Sequence, residues 1–203
     1  MREIENPSRP PLTDEDLDIL ATPTKDLYAR ASVPSFDDDK YRDRLKSVSE
    51  WQQIVQGHLY IDHVLSRTLS EALPNPDKID IDRMGFASKM QLVAAMGLIT
   101  DDIVGCFRSL NKLRNRIAHR LEYEISPADR RNLISLLPTF LRQHIESEPD
   151  REPGPVNIFE FLFFIAVYSD ILRQRLEGGR LVSRKMNLRL RTVVAKENVV
   201  FND

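Results

Sequence analysis

The side chains of this chain best suited to chemistry are Arg114, Asn115 and His119, which fall within the hexapeptide Arg114-Asn115-Arg116-Ile117-Ala118-His119. Histidine is the residue whose ordinary pKa lies nearest neutrality, so it can give or take a proton. Arginine stays charged and presents a planar fork that matches phosphate oxygens. Together they could move a proton and stabilise a phosphorane-like anion without a metal. The same two residues could also serve as an interface ion pair and a capping histidine.

A helix must carry them. Thr100-Asp101-Asp102 supplies a cap and first-turn acids for a helix from Asp102 to about Leu121. Ile103, Cys106, Leu110, Leu113 and Ile117 then share an inner stripe, while Arg108, Lys112, Asn115 and His119 gather on the opposite side. Arg114 lies about 140° around the helix from His119. The two converge only if the arginine reaches around, or if a second copy of the chain completes the site. Arg108, Lys112, Arg116 and Arg120 make this side of the helix the natural place for nucleic acid.

The rest of the chain reads as helical. Asp39 to Leu73 has neither proline nor a glycine pair and predicts one long helix, bent if anywhere at Gly57, which Pro74-Asn75-Pro76 ends. Phe86 to Met96 predicts a second helix with Gly97 as its stop. After the motif helix, Ser126-Pro127 opens a fourth over about Pro127 to Ile145, and Asn157 caps a fifth that Gly178-Gly179 should close. Residues 1–38 read as a proline-rich, partly disordered arm with at most one short helix after Thr13-Asp14-Glu15. Residues 39–178 read as the helical bundle, and 179–203 as a tail. From Arg180 to Lys196 that tail holds six basic residues and no acid, in a pattern that fits a strand or a helix equally. Packing arm and nucleic-acid contact both remain open for it.

Composition sets bounds. The 203 residues allow one good core, and with 30% charged residues and a net charge of -2 there is no overall field to attract nucleic acid. The single Cys106 excludes an intrachain disulfide and suits a reducing compartment. On the inner stripe it reads as a small buried hydrophobe. No apolar run approaches a membrane span, and no signal-peptide pattern is present, so a cytoplasmic protein without a membrane partner is expected. No cofactor is expected, because there is no glycine-rich phosphate loop, paired-acid motif or nucleophile elbow. No metal is expected either: His58 and His63 stand five apart, off the spacing of a metal pair, and His144 reads as a helix-end histidine.

Arg114-Asn115 followed by Ala118-His119 at the end of a helix, in an all-helical chain, resembles the HEPN superfamily. Phe86-Ala87-Ser88-Lys89-Met90 leading to Ala95-Met96-Gly97-Leu98-Ile99, a short acidic link, and Leu110-Asn111-Lys112-Leu113 make the likeness greatest to its mannitol operon repressor-like branch. The resemblance covers about residues 40–175. It implies an all-α bundle of four to five helices that dimerises through the motif helix and, in many members, a metal-independent endoribonuclease acting as a toxin or defence effector. His119 would then be general acid or base, Arg114 would stabilise charge on the scissile phosphate, and Asn115 would orient a phosphate oxygen or the imidazole. RNA, a second copy of the chain and a cognate inhibitor or antitoxin are the implied partners. Leu121 stands where toxins paired with nucleotidyltransferase antitoxins carry tyrosine, with Tyr123 two residues further on, which argues against that pairing. The resemblance is also compatible with a non-catalytic regulatory or interaction module of the same fold, and the composition alone with a helical scaffold.

Overall fold

The computed structural model describes residues 11–120 and 122–200, with side chains described through Thr192. The first ten residues of the expected arm, Leu121, and the side chain of Lys196 lie outside the described residues. Among those described, every regular element is helical: α1 (Asp14–Ala21), α2 (Thr24–Ala31), α3 (Asp38–Lys46), α4 (Glu50–Ala72), a 3-10 turn at Pro76–Lys78, α5 (Phe86–Ala95), α6 (Asp101–Ala118), α7 (Pro127–Ser135), α8 (Thr139–Glu146) and α9 (Ile158–Val200). The all-α expectation holds. The helices form two compact bodies, one of Val33–Leu176 and one of Met1–Ser32 with Glu177–Asp203.

In the larger body α4, α5 and α6 pack on one another, and the first part of α9 contributes to the same core. Ile54, Ile61 and Leu69 of α4, Val93 of α5, Ile103, Cys106 and Leu110 of α6, and Phe161, Leu162 and Ile165 of α9 are all fully buried there. Gly57 lets α4 approach α9 closely, since a Cβ there would stand 2.6 Å from Leu162 Cδ2. Local signals set the ends. Gly97 takes φ +70°, a left-handed conformation that stops α5. Ser126 and Asp129 form a reciprocal cap that starts α7 at Pro127, and Asn157 Oδ1 accepts from the Glu160 amide at 2.9 Å to start α9.

Two expected helices are broken. The span Asp39 to Leu73 contains α3 and α4, because Ser49 and Gln52 form a new capping box that restarts the chain. The span Pro127 to Ile145 contains α7 and α8, because Pro138 lacks the N–H that a continuous helix needs.

The smaller body corrects the reading of both chain ends. Two helices, α1 and α2, occupy 11–32 in place of at most one, and Gly178-Gly179 does not close α9, which continues to Val200. Glycine in a helix costs only about 1 kcal/mol, and here it is offset by packing. A Cβ at Gly178 would lie 2.6 Å from Tyr28 Cδ1, while Leu181 and Leu188 are buried with Ile19, Leu27 and Ala31. Arg184 bridges Glu15 at 2.6 Å and Asp16 at 2.7 Å, and the buried Lys185 ammonium donates to the Thr22 carbonyl.

Candidate functional site

The inner stripe of α6 is buried at Ile103, Cys106, Leu110 and Leu113, and this burial fixes which side of the helix meets solvent. Cys106 is a core residue whose Sγ donates to the Leu136 carbonyl at 3.2 Å, and burial pushes its thiol up to about 12. Arg108 and Lys112 project into solvent, and neither forms an ion pair among the described residues.

His119 is the C-cap of α6, its amide donating to the Asn115 carbonyl at 3.1 Å. Its exposed imidazole borders a cavity of about 340 Å³ with Trp51, Ile117, Ala118, Arg120 and Tyr123. Trp51 comes from the first turn of α4 and is 49% exposed. An imidazole, a guanidinium and two aromatic rings therefore share one concavity. Such a combination suits a nucleobase stacked beside a phosphate. Trp51 did not stand out in the sequence, because it is distant in the chain and reads there as one more apolar position of a helix.

The structure brings Arg114 to Asn115 rather than to His119: the half-buried guanidinium Nη1 donates to Asn115 Oδ1 at 3.2 Å. Within one chain the motif is thus split between an exposed imidazole and an arginine on another side of the helix, as the 3.6-residue period requires. Arg116 is committed elsewhere. It pairs with Asp129 at 2.7 Å and lies 5.3 Å from the centre of the Tyr123 ring. Asp129 also accepts from the Tyr123 hydroxyl at 2.7 Å and from Ser126. Burial alone would raise the Asp129 carboxyl, but the bonds from Tyr123, Ser126 and Arg116 outweigh it and bring the group to about 2. Arg116 and Tyr123 thereby tie the end of α6 to the start of α7.

Beneath the motif lies a polar layer. His58 of α4 is 6% exposed, stacks on Phe86 at 4.1 Å and meets Asn111 Oδ1 through Nε2 at 3.0 Å. One helical turn away, Lys89 of α5 is buried and reaches Asp62 Oδ2 at 2.8 Å. His58 Nδ1, Asp62 Oδ1 and Gln56 Oε1 are buried without hydrogen-bond partners among the described residues. Burial lowers the His58 pKa despite the Asn111 bond, and the nearby positive charge of Arg114 acts in the same direction. This layer was legible only in part: His58 and Asp62 stand four apart on the inner side of α4, but nothing local announces that Lys89 and Asn111 meet them. His63 is exposed and His144 faces Glu148 at 3.5 Å. Among the described residues, no three His, Cys, Asp or Glu side chains converge as a metal site would require, and no helix is long and apolar enough to cross a membrane.

Compared with protein-family models, curated proteins and solved structures, the chain matches none of them.

Proposed function

We propose that this chain is a HEPN-like, metal-independent endoribonuclease of the toxin or defence-effector kind, working in the cytoplasm as a homodimer in which two copies of the α6 motif share one site. The observation that carries the reading is the position of His119, exposed at the end of α6 in a cavity with Trp51, Tyr123 and Arg120. In the reaction, a ribose 2′-oxygen attacks the adjacent phosphorus and the bond to the 5′-oxygen breaks. One imidazole removes the 2′-hydroxyl proton and the other protonates the departing 5′-oxygen, leaving a 2′,3′-cyclic phosphate and a 5′-hydroxyl. Arg114 stabilises the charge that builds on the phosphate oxygens, with Asn115 holding its guanidinium. Arg108, Lys112 and Arg120 follow the strand as phosphate contacts, and Trp51 offers a face on which a base stacks. Two copies are required because Arg114 and His119 of a single chain diverge around α6.

The test is incubation of the purified protein with single-stranded and structured RNA in EDTA. Wild type should cut RNA, spare DNA and leave cyclic phosphate ends, while His119→Ala should lose cleavage by about 10²-fold or more with its melting temperature unchanged. Equal inertness, or equal cleavage, of the two proteins on several RNAs would overturn the catalytic reading.

A second reading is favoured by the half-burial of Arg114 and its bond to Asn115. Here the motif holds a dimer together in a non-catalytic regulatory or interaction module, like a mannitol repressor-like regulator. Light scattering separates the consequences, since Arg114→Ala would dissociate such a dimer while His119→Ala would not.

A further inference from the structure

A second concavity, of about 600 Å³, opens in the larger body between the start of α4, helix α7, the start of α8 and the entry to α9. Its accessible apolar lining comes from the half-buried Ile134 and the exposed Pro127 and Pro155, which lie over the buried Val156 and Ile158. Its rim is cationic, formed by Arg130, Arg131 and Arg142.

These three arginines are not equivalent. Arg130 is neutralised by Glu50, which it grips through both carboxylate oxygens at 2.6 to 3.0 Å, so it acts as a fixed wall. Arg142 donates to the Ile134 carbonyl at 2.8 Å, a bond that orients the guanidinium but leaves its charge uncompensated. Arg131 is exposed and meets no carboxylate among the described residues. Two uncompensated guanidinium groups therefore stand over an apolar floor. The water-exposed apolar surface of Ile134, Pro127 and Pro155 favours an occupant that covers it, and planar, charged forks favour a carboxylate or phosphate head.

We propose that this cavity binds a small amphipathic anion, a molecule with a hydrophobic body of roughly medium-chain acyl or aromatic size and one carboxylate or phosphate head. The body lies on Ile134, Pro127 and Pro155, and the head meets Arg131 and Arg142. The site is separate from the His119 cavity, and its binding reaction can be measured whether or not the chain cleaves RNA.

Isothermal titration of the full chain with decanoate, decanol and acetate tests both halves of the recognition. Decanoate should bind, with decanol and acetate each weaker by about tenfold or more, because one lacks the head and the other the body. Arg131→Gln should weaken decanoate by about tenfold while leaving decanol unaffected. Ser135→Trp, placed at the exposed edge of the cavity, should block both without disturbing the core. Dodecyl phosphate in place of decanoate distinguishes a phosphate-selective head site from a carboxylate one, and binding of either supports the proposal. The proposal is overturned if neither anion binds at millimolar concentration, if decanol binds as well as decanoate, or if both variants bind like wild type. It is also overturned if a short RNA occupies the cavity and decanoate fails to displace it.

Discussion

The cations of the larger body show how positive charge is used in opposite ways. At the α4 and α9 contact, Arg173 is 2% exposed and every face of its guanidinium is occupied: Asp170 at 2.7 Å, Glu71 at 2.8 Å and the Val33 carbonyl at 2.6 Å. Asp170 in turn accepts from the Ser35 amide at 2.9 Å and from the Ser35 hydroxyl, and Gln174 donates to it at 2.9 Å. On the outer side of α6 and just past its end, Arg108, Lys112 and Arg120 form no ion pair among the described residues. Saturation marks a cation that holds the fold. An exposed cation without an internal ion pair is solvated and free to meet a partner from outside. Arg116 falls on the saturated side of that division although the sequence groups it with Arg108 and Lys112.

The strongest way to break the comparison is to remove Arg173. Arg173→Ala leaves the buried Asp170 without its cation and Glu71 with Arg67 alone, and the loss should be about 3 kcal/mol. Urea denaturation followed by circular dichroism would read it as a lower midpoint with an unchanged slope. A midpoint within error of wild type would mean that buried saturation does not distinguish the two groups. In the smaller body Lys185→Met is the milder counterpart: it leaves the Thr22 carbonyl without its donor and should cost about 1 to 3 kcal/mol. Thermal unfolding of the full chain would register it, and no loss would remove Lys185 from the fold-holding class.

Much of the fold was legible in the sequence because its signals are local. Gly97, the Ser126 cap with Pro127, and Asn157 each act within a few residues, and each sits where the structure ends or begins a helix. The inner stripe of α6 was legible for the same reason, since a 3.6-residue period is written in one segment. What escaped depends on partners far away in the chain. Gly178 reads as a helix stop until Tyr28 packs against it, and Trp51 reads as one more apolar position until α6 ends beside it. Arg116 looked available until Asp129 claimed it. Pro138 is different, a local break within Pro127 to Ile145 that the sequence itself displays.

Asp129 lets acid test the saturated side without a large structural change. Its carboxyl is lowered to about 2 in the fold, below the ordinary carboxylate value. A group depressed by folding contributes stability above its unfolded pKa, and that contribution is lost as pH falls toward the folded value. Wild type should therefore lose about 1 to 2 kcal/mol through this group between about pH 4 and pH 2. Asp129→Asn should start lower at neutral pH and show a shallower acid limb. Parallel limbs for the two proteins would mean that the bonds from Tyr123, Ser126 and Arg116 are not felt by the folding equilibrium.

The smallest effect on stability is expected where the comparison matters most for function. Arg108 and Lys112 are exposed on α6 and form no ion pair within the described residues, so replacing both by glutamine should change stability by less than about 0.5 kcal/mol. If they contact phosphates, the same change should weaken RNA binding and make it less dependent on salt. Each neutralised phosphate on a single strand contributes about 0.7 to the slope of log affinity against log salt, so losing two contacts should flatten that slope by roughly 1.4. Binding would be followed by fluorescence anisotropy with His119→Ala as the background, so that the RNA stays intact during the titration. Arg116→Gln offers the contrast within the same helix. It should lower stability by breaking the bond to Asp129 and leave the salt slope nearly unaltered, because its charge is already matched. If Arg116→Gln flattens the slope as much as the double change does, the internal pair opens when RNA binds, and the division between saturated and available cations fails on this face of α6.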